Sequence, residues 1–250
     1  MEQIWEERHR VASYCADFGW KARPSALFCM FSDEAGRHAD RLGIGYRDMK
    51  KKAMAWLLAK MRVDMEKYPL YDQTVTIRTW TKGWDGPFAI RGYEMVDDNG
   101  ERLCTGCSHW VVISTDDMKL LRPRDTGFDY ADGRPDIVLP APEKVTPEGT
   151  LIQVKEFTAG YSHIDFLHHV NNARYADWVC DCFNREFHEK HEMQALTLNY
   201  NRQVTWGEAV ETRVYLVCEK PLTHRIEGVS RQAGNSSFFA EAVWRETRPG

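Results

Sequence analysis

No stretch of the 250-residue sequence reaches the roughly 18 consecutive apolar residues that a membrane-crossing helix needs, because Lys, Arg or Asp breaks each apolar run within a few positions. That absence excludes a helical bilayer span. A basic excess is missing too: 33 Lys and Arg stand against 37 Asp and Glu, a formal net charge of −4. Phosphate neutralisation therefore gives no reason to expect nucleic acid as a partner. Cysteine comes as an odd, scattered set (Cys15, Cys29, Cys104, Cys107, Cys180, Cys182, Cys218), which is no disulfide framework. The opening MEQIWEERHR has no apolar signal core, so the expected setting is the reducing cytoplasm.

What is present is ordinary globular material, 43% hydrophobic and 28% charged, enough for one large domain or two of roughly 120 residues. Proline punctuates it in one place. Five of the ten prolines fall within 122–150, which follows neither a helical nor a strand period and reads as a linker between domains 1–121 and 151–250.

The same order of elements lies on both sides of that linker. In the first half, Leu27, Phe31, Ala35, His38, Ala39 and Leu42 recur at helical spacing over 25–42, and strands are expected near 53–65, 74–82, 88–96 and 102–114. In the second, Tyr175, Trp178, Val179, Cys182, Phe183 and Phe187 mark the apolar stripe of a helix over 170–189, with strands near 195–204, 208–218, 225–232 and 237–245. Matching Arg37-His38-Ala39-Asp40 to Arg174-Tyr175-Ala176-Asp177, and Tyr71-Asp72-Gln73 to Trp206-Gly207-Glu208, suggests a weak internal duplication. Periodicity by itself supports an α+β chain with antiparallel strands in two halves.

The polar cluster just ahead of the second helix is the candidate site. A helix N-terminus carries backbone N–H groups without intrahelical partners and a partial positive charge, so Val170, Asn171 and Asn172 could hold the oxygen of a polarised carbonyl. Asp165 then lies where a carboxylate could take a proton from water or attack a carbonyl, and His169 could orient a water or the substrate. The competing reading is plain helix capping, with Asn171 as the cap.

The run Asp165-Phe166-Leu167-His168-His169-Val170-Asn171-Asn172 resembles the D-x-N-x-H-V-N-N signature of the acyl-[acyl-carrier-protein] thioesterases of plants and bacteria. Ser13-Tyr14, Pro69 with Thr79-Trp80, Arg91-Gly92-Tyr93, the Asp98-Asn99-Gly100 turn and Ser108-His109-Trp110-Val111-Val112 follow that family's order, so the resemblance covers nearly the whole chain.

It implies two tandem hotdog domains, each an antiparallel sheet wrapped around one long helix. It also implies hydrolysis of the thioester that joins a fatty acyl chain to acyl carrier protein, with no cofactor and no metal. The first hotdog would shape the acyl pocket and the second would carry the chemistry, because the positions matched to Asp165 and His169 by the duplication are Phe28 and Ser32. Acyl carrier protein is the implied partner, and a homodimer is compatible with the sequence.

Two departures stand out. The family's Asn is Leu167 here, and the downstream strand L-E-Y-x-R-E-C reads Leu198-Asn199-Tyr200-Asn201-Arg202-Gln203-Val204, with Gln203 in place of the Glu. Gln203 can hold a water but cannot act as a base. The assignment is thus Asp165 as base or nucleophile, His169 as orienting group, Asn171 and Asn172 as substrate-binding donors, and Gln203 as water-positioning residue. Alternatives are an acyl-binding protein with little turnover, an acyl-CoA thioesterase, and a hotdog hydratase, which uses a different motif.

Other clusters carry less. Cys104-Thr105-Gly106-Cys107 and Cys180-Asp181-Cys182 with His188 or His191 lie on strand or helix patterns that read as core rather than as a zinc site. Lys50-Lys51-Lys52, Arg122 and Arg124 read as solvated charge, or as places to look for acidic carrier protein.

Overall fold

Alternation along the strands builds one five-stranded antiparallel sheet in each half of the chain. The computed structural model describes residues 4–131, 133–134 and 136–247; Asp132 and Pro135, inside the Pro-rich stretch, lie outside the described residues. The chain divides into two compact units, Met1–Pro142 and Glu143–Gly250.

In the first unit, strands β1 (Ile4–Arg10), β2 (Met54–Met65), β3 (Thr74–Asp85), β4 (Phe88–Asp97) and β5 (Arg102–Ser114) pair in the order β1-β3-β4-β5-β2. Val75, Ile77 and Thr79 on β3, with Arg91, Tyr93 and Met95 on β4, alternate onto a buried face. Helix α1 (Pro24–Arg41) packs there, and its Phe31 ring stacks on Tyr93 at 5.0 Å between centroids. Gly106 makes the contact possible, since a Cβ there would lie 2.9 Å from the Phe31 ring. A short helix α2 (Tyr46–Lys51) follows.

The second unit repeats this topology. Strands β6 (Thr150–Thr158), β7 (His191–Tyr200), β8 (Ala209–Glu219), β9 (Leu222–Ser230) and β10 (Ser236–Glu246) pair in the order β6-β8-β9-β10-β7. The helix is in two pieces, α3 (Arg174–Asp181) and α4 (Arg185–Lys190), rather than the one long helix expected over 170–189. Asn184 restarts it, its Oδ1 accepting Phe187 N–H at 2.9 Å as an N-cap. Tyr175 and Trp178 of α3 are buried, and Tyr175 meets Phe238 of β10 edge-on at 5.1 Å.

Strands β2–β5 and β7–β10 lie where the sequence pattern put them, to within a few residues. The edge strands β1 and β6 were not anticipated, because Ile4-Trp5-Glu6-Glu7-Arg8-His9-Arg10 is mostly charged and β6 is mostly exposed. Edges tolerate such residues, so no hydrophobic alternation announces them. The Pro-rich stretch contributes to both units. Tyr130 is buried with Ile44 and Ala89 in the first, and Val145 N–H donates to Asn199 Oδ1 at 2.8 Å in the second. No helix among the described residues is long and apolar enough to cross a membrane.

Candidate active site

Asp165 opens a tight loop that returns on itself at His169. Its N–H donates to the His169 carbonyl at 2.9 Å, and the His168 N–H donates back to the Asp165 carbonyl at 3.0 Å. The carboxylate holds the tip by accepting Leu167 N–H at 2.9 Å, and His168 takes a φ of +64°, left-handed backbone that costs a non-glycine residue energy. Phe166 and Leu167 lie exposed at the tip. Among the described residues no cation pairs with the Asp165 carboxylate, so one of its oxygens stays available.

The loop is docked along the segment that leaves β7. His169 bridges Thr205, and Val170 N–H donates to the Val204 carbonyl at 2.8 Å, which brings the Gln203 backbone alongside Asn171. Gln203 itself is exposed. His169 Nδ1 is buried with no hydrogen-bond partner among the described residues, an arrangement that a bound water or substrate atom would complete.

The helix starts at Arg174, four residues later than the sequence suggested, and this changes which donors are free. Val170 N–H is occupied by Val204, and Asn171 N–H donates to the His163 carbonyl at 2.9 Å. Asn171 Oδ1 accepts Ala173 N–H at 3.0 Å, leaving its amide N–H groups to point elsewhere. Of the backbone donors expected for an oxyanion, Asn172 N–H is the one left without a partner among the described residues. Tyr200 Oη donates to the Asn172 carbonyl at 3.0 Å and steadies that residue.

Tyr175 belongs to the site's surroundings, although the sequence pattern placed it in the apolar stripe. Its buried phenol bonds to the Val204 backbone and lies within electrostatic reach of both Arg202 and Asp165; burial pushes it up to about 12, so it stays protonated. The stripe pattern could not reveal a polar tip on a buried ring.

The same loop occurs a second time, in the first unit. Asp17 N–H donates to the Lys21 carbonyl at 2.8 Å, Ala22 N–H to the Pro69 carbonyl at 2.8 Å, and Arg23 N–H to the Cys15 carbonyl at 2.8 Å. Gly19 N–H donates to Asp17 Oδ1 at 2.7 Å, and Trp20 takes a φ of 64°. Asp17 therefore corresponds to Asp165, Lys21 to His169, Pro24 to Asn172, and Tyr68 to Gln203. The match to Phe28 and Ser32 is corrected: it was anchored in the helices, and it slips by 11 residues. Eleven residues are close to three helical turns, so the slip preserves the phase of the apolar stripe and leaves no mark in the pattern.

Cys104, Cys107 and Cys182 are buried. Burial pushes the Cys107 thiol up to about 12 and that of Cys182 up to about 11, so neither is a thiolate near neutral pH.

Comparison with known proteins identifies the family. Residues 2–126 match the acyl-ACP thioesterase N-terminal domain and residues 149–246 the acyl-ACP thioesterase C-terminal domain. An oleoyl-acyl carrier protein thioesterase of Arabidopsis thaliana chloroplasts is 26% identical over 94% of this chain and 71% of its own. Among solved structures, an acyl-ACP thioesterase from Bacteroides thetaiotaomicron superposes with a TM-score of 0.84 over 97% of this chain and 98% of its own, at 19% identity. The 12:0-ACP thioesterase of Umbellularia californica gives 0.81, also at 19% identity, over 98% of each chain. The fold is thus the tandem hotdog, and with both halves matched in order the chain belongs to the acyl-ACP thioesterase family.

Proposed function

We propose that the Asp165 loop is the hydrolytic centre through which this thioesterase cleaves fatty acyl-acyl carrier protein, releasing free fatty acid. The observation that carries the assignment is the Asp165 carboxylate, held at one oxygen by Leu167 N–H and unpaired with any cation among the described residues. An ionised carboxylate in that state can take a proton from water or attack the thioester carbonyl itself. His169 orients the water or the substrate carbonyl. The Asn172 N–H, with the Asn171 side-chain amide, receives the negative charge that develops on the carbonyl oxygen. Gln203, alongside Asn171, holds the attacking water by hydrogen bonding and takes no proton.

The first unit, whose copy of the loop has Lys21 and Pro24 at the key positions, serves the acyl chain rather than the bond being broken. Seven free thiols support a reducing compartment such as the cytoplasm. The test is an assay of the purified protein with acyl-acyl carrier proteins of graded chain length, reading free fatty acid by mass spectrometry. Release should be seen for at least one length and should vanish in Asp165→Asn. Binding of every length with release from none would replace hydrolysis with acyl storage.

A further inference from the structure

Glu208 is a buried carboxylate held from three sides. It forms an ion pair with Arg202, Ser230 Oγ donates to its Oε1 at 2.5 Å, and Thr205 N–H donates to its Oε2 at 3.1 Å. The first unit builds the same turn without that charge. Gln73 stands at the position of Glu208, and its Oε1 accepts Leu70 N–H at 2.9 Å; Lys67, at the position of Arg202, pairs with Glu101 instead. A neutral amide is therefore enough to shape the turn, and the charge on Glu208 answers to something else.

That something is the cation beside it. The bridge from His169 to Thr205 and the bond from Val170 N–H to the Val204 carbonyl run the Arg202 segment along the Asp165 loop. Tyr175, whose phenol bonds to the Val204 backbone, lies within electrostatic reach of both side chains. Arg202 Nε is buried without an acceptor among the described residues, so the guanidinium would gain a bond by turning to a carboxylate.

We propose that Glu208 is a positioning residue that holds Arg202 away from Asp165, so that the Asp165 carboxylate remains unpaired for thioester hydrolysis. This rests on Asp165 being the reacting carboxylate. An Arg–carboxylate pair is strong and two-pronged, and a carboxylate so engaged loses both basicity and nucleophilicity.

The experiment is a cycle of Glu208→Gln, Arg202→Gln and the double variant. Gln is the residue the first unit already uses at this turn, so Glu208→Gln keeps the acceptor for Thr205 N–H; thermal midpoints confirm folding. With acyl-acyl carrier protein, Glu208→Gln should lower kcat about tenfold or more with KM changed less than about twofold, and adding Arg202→Gln should restore kcat to within about threefold of the parent. Ser230→Ala, which frees one side of the carboxylate, should show a smaller loss rescued in the same way. A double variant no faster than Glu208→Gln, or a Glu208→Gln enzyme as fast as the parent, overturns the proposal. The crystal structure of Glu208→Gln supplies a readout independent of turnover. Arg202 should lie on Asp165 there, and if it does not, the proposal fails even where the parent shows no hydrolysis and the functional reading has failed separately.

Discussion

The loops that begin at Asp17 and at Asp165 share a backbone and differ in what that backbone presents. Both close with an Asp N–H on the carbonyl four residues later, both dock by the N–H of the residue after that carbonyl, and both hold a non-glycine residue at a φ of 64°. In both, the aspartate accepts an N–H two residues on, which is a structural task that any Asx turn performs. The chemistry separates them. Where the second loop has His169, Asn172 and Gln203, the first has Lys21, Pro24 and Tyr68, with the Lys21 ammonium 5.7 Å from the centre of the Tyr68 ring. Proline has no N–H, so the first loop lacks the donor proposed for the oxyanion. A turn that forms with either set does not itself require His169, Asn172 or Gln203.

The largest effect expected from that contrast is at the aspartates. Asp165→Asn keeps an acceptor for Leu167 N–H and should leave the thermal midpoint nearly unchanged while lowering kcat by about two to three orders of magnitude. Asp17→Asn, the same change in the same turn, should alter kcat less than about twofold. Equal losses at the two positions in steady-state assays would mean that the aspartates serve only the fold.

Next comes the donor. Asn172→Pro copies the first loop into the second, removing one N–H at a place where the matching backbone already accommodates proline, and should lower kcat about ten- to a hundredfold with KM little changed. A variant with full activity would remove Asn172 N–H from the mechanism.

A third comparison concerns stability, and it separates the units by pH. In the second unit His224 is buried against Phe183 and Phe187, and burial, with His191 nearby, depresses it from 6.5 to about 4. The unfolded chain takes up this proton near pH 6.5 and the folded chain does not until about 4. Its contribution is therefore fully present above pH 6.5 and is lost as pH falls toward 4, up to about 3 kcal/mol. Urea midpoints measured between pH 7.5 and 5 should fall more steeply for the parent than for His224→Phe.

The smallest effect is at the departures from the family pattern. Leu167 is 43% exposed at the loop tip and Gln203 is exposed, so Leu167→Asn should change stability by less than about 0.5 kcal/mol and kcat by less than about threefold. A cycle of Leu167→Asn with Gln203→Glu tests whether the tip and the β7 exit act on one water. Coupling in kcat supports a shared site, and strict additivity separates them.

Much of this protein is legible in its residues alone. Strand alternation placed eight of the ten strands among the described residues, because one face of each must be buried and a period of two leaves no freedom in which. Asp165, His169 and Asn172 could be named as candidates for a different reason, since acid, imidazole and amide next to a helix have a chemistry that does not depend on long-range contacts. Three matters needed the tertiary structure. Which backbone N–H groups stay free depends on partners far along the chain, Val204 and His163, and on a helix that begins at Arg174. The pairing of the two loops was hidden because an 11-residue slip preserves helical phase, so only hydrogen bonds to Pro69 and Val204 fix the alignment. The fate of Arg202 depends on Glu208 and Ser230, the latter on a strand 22 residues further on, where no local pattern reaches. Periodicity reports which side of an element is buried; who holds a given proton or charge is decided by the neighbours that folding brings to it.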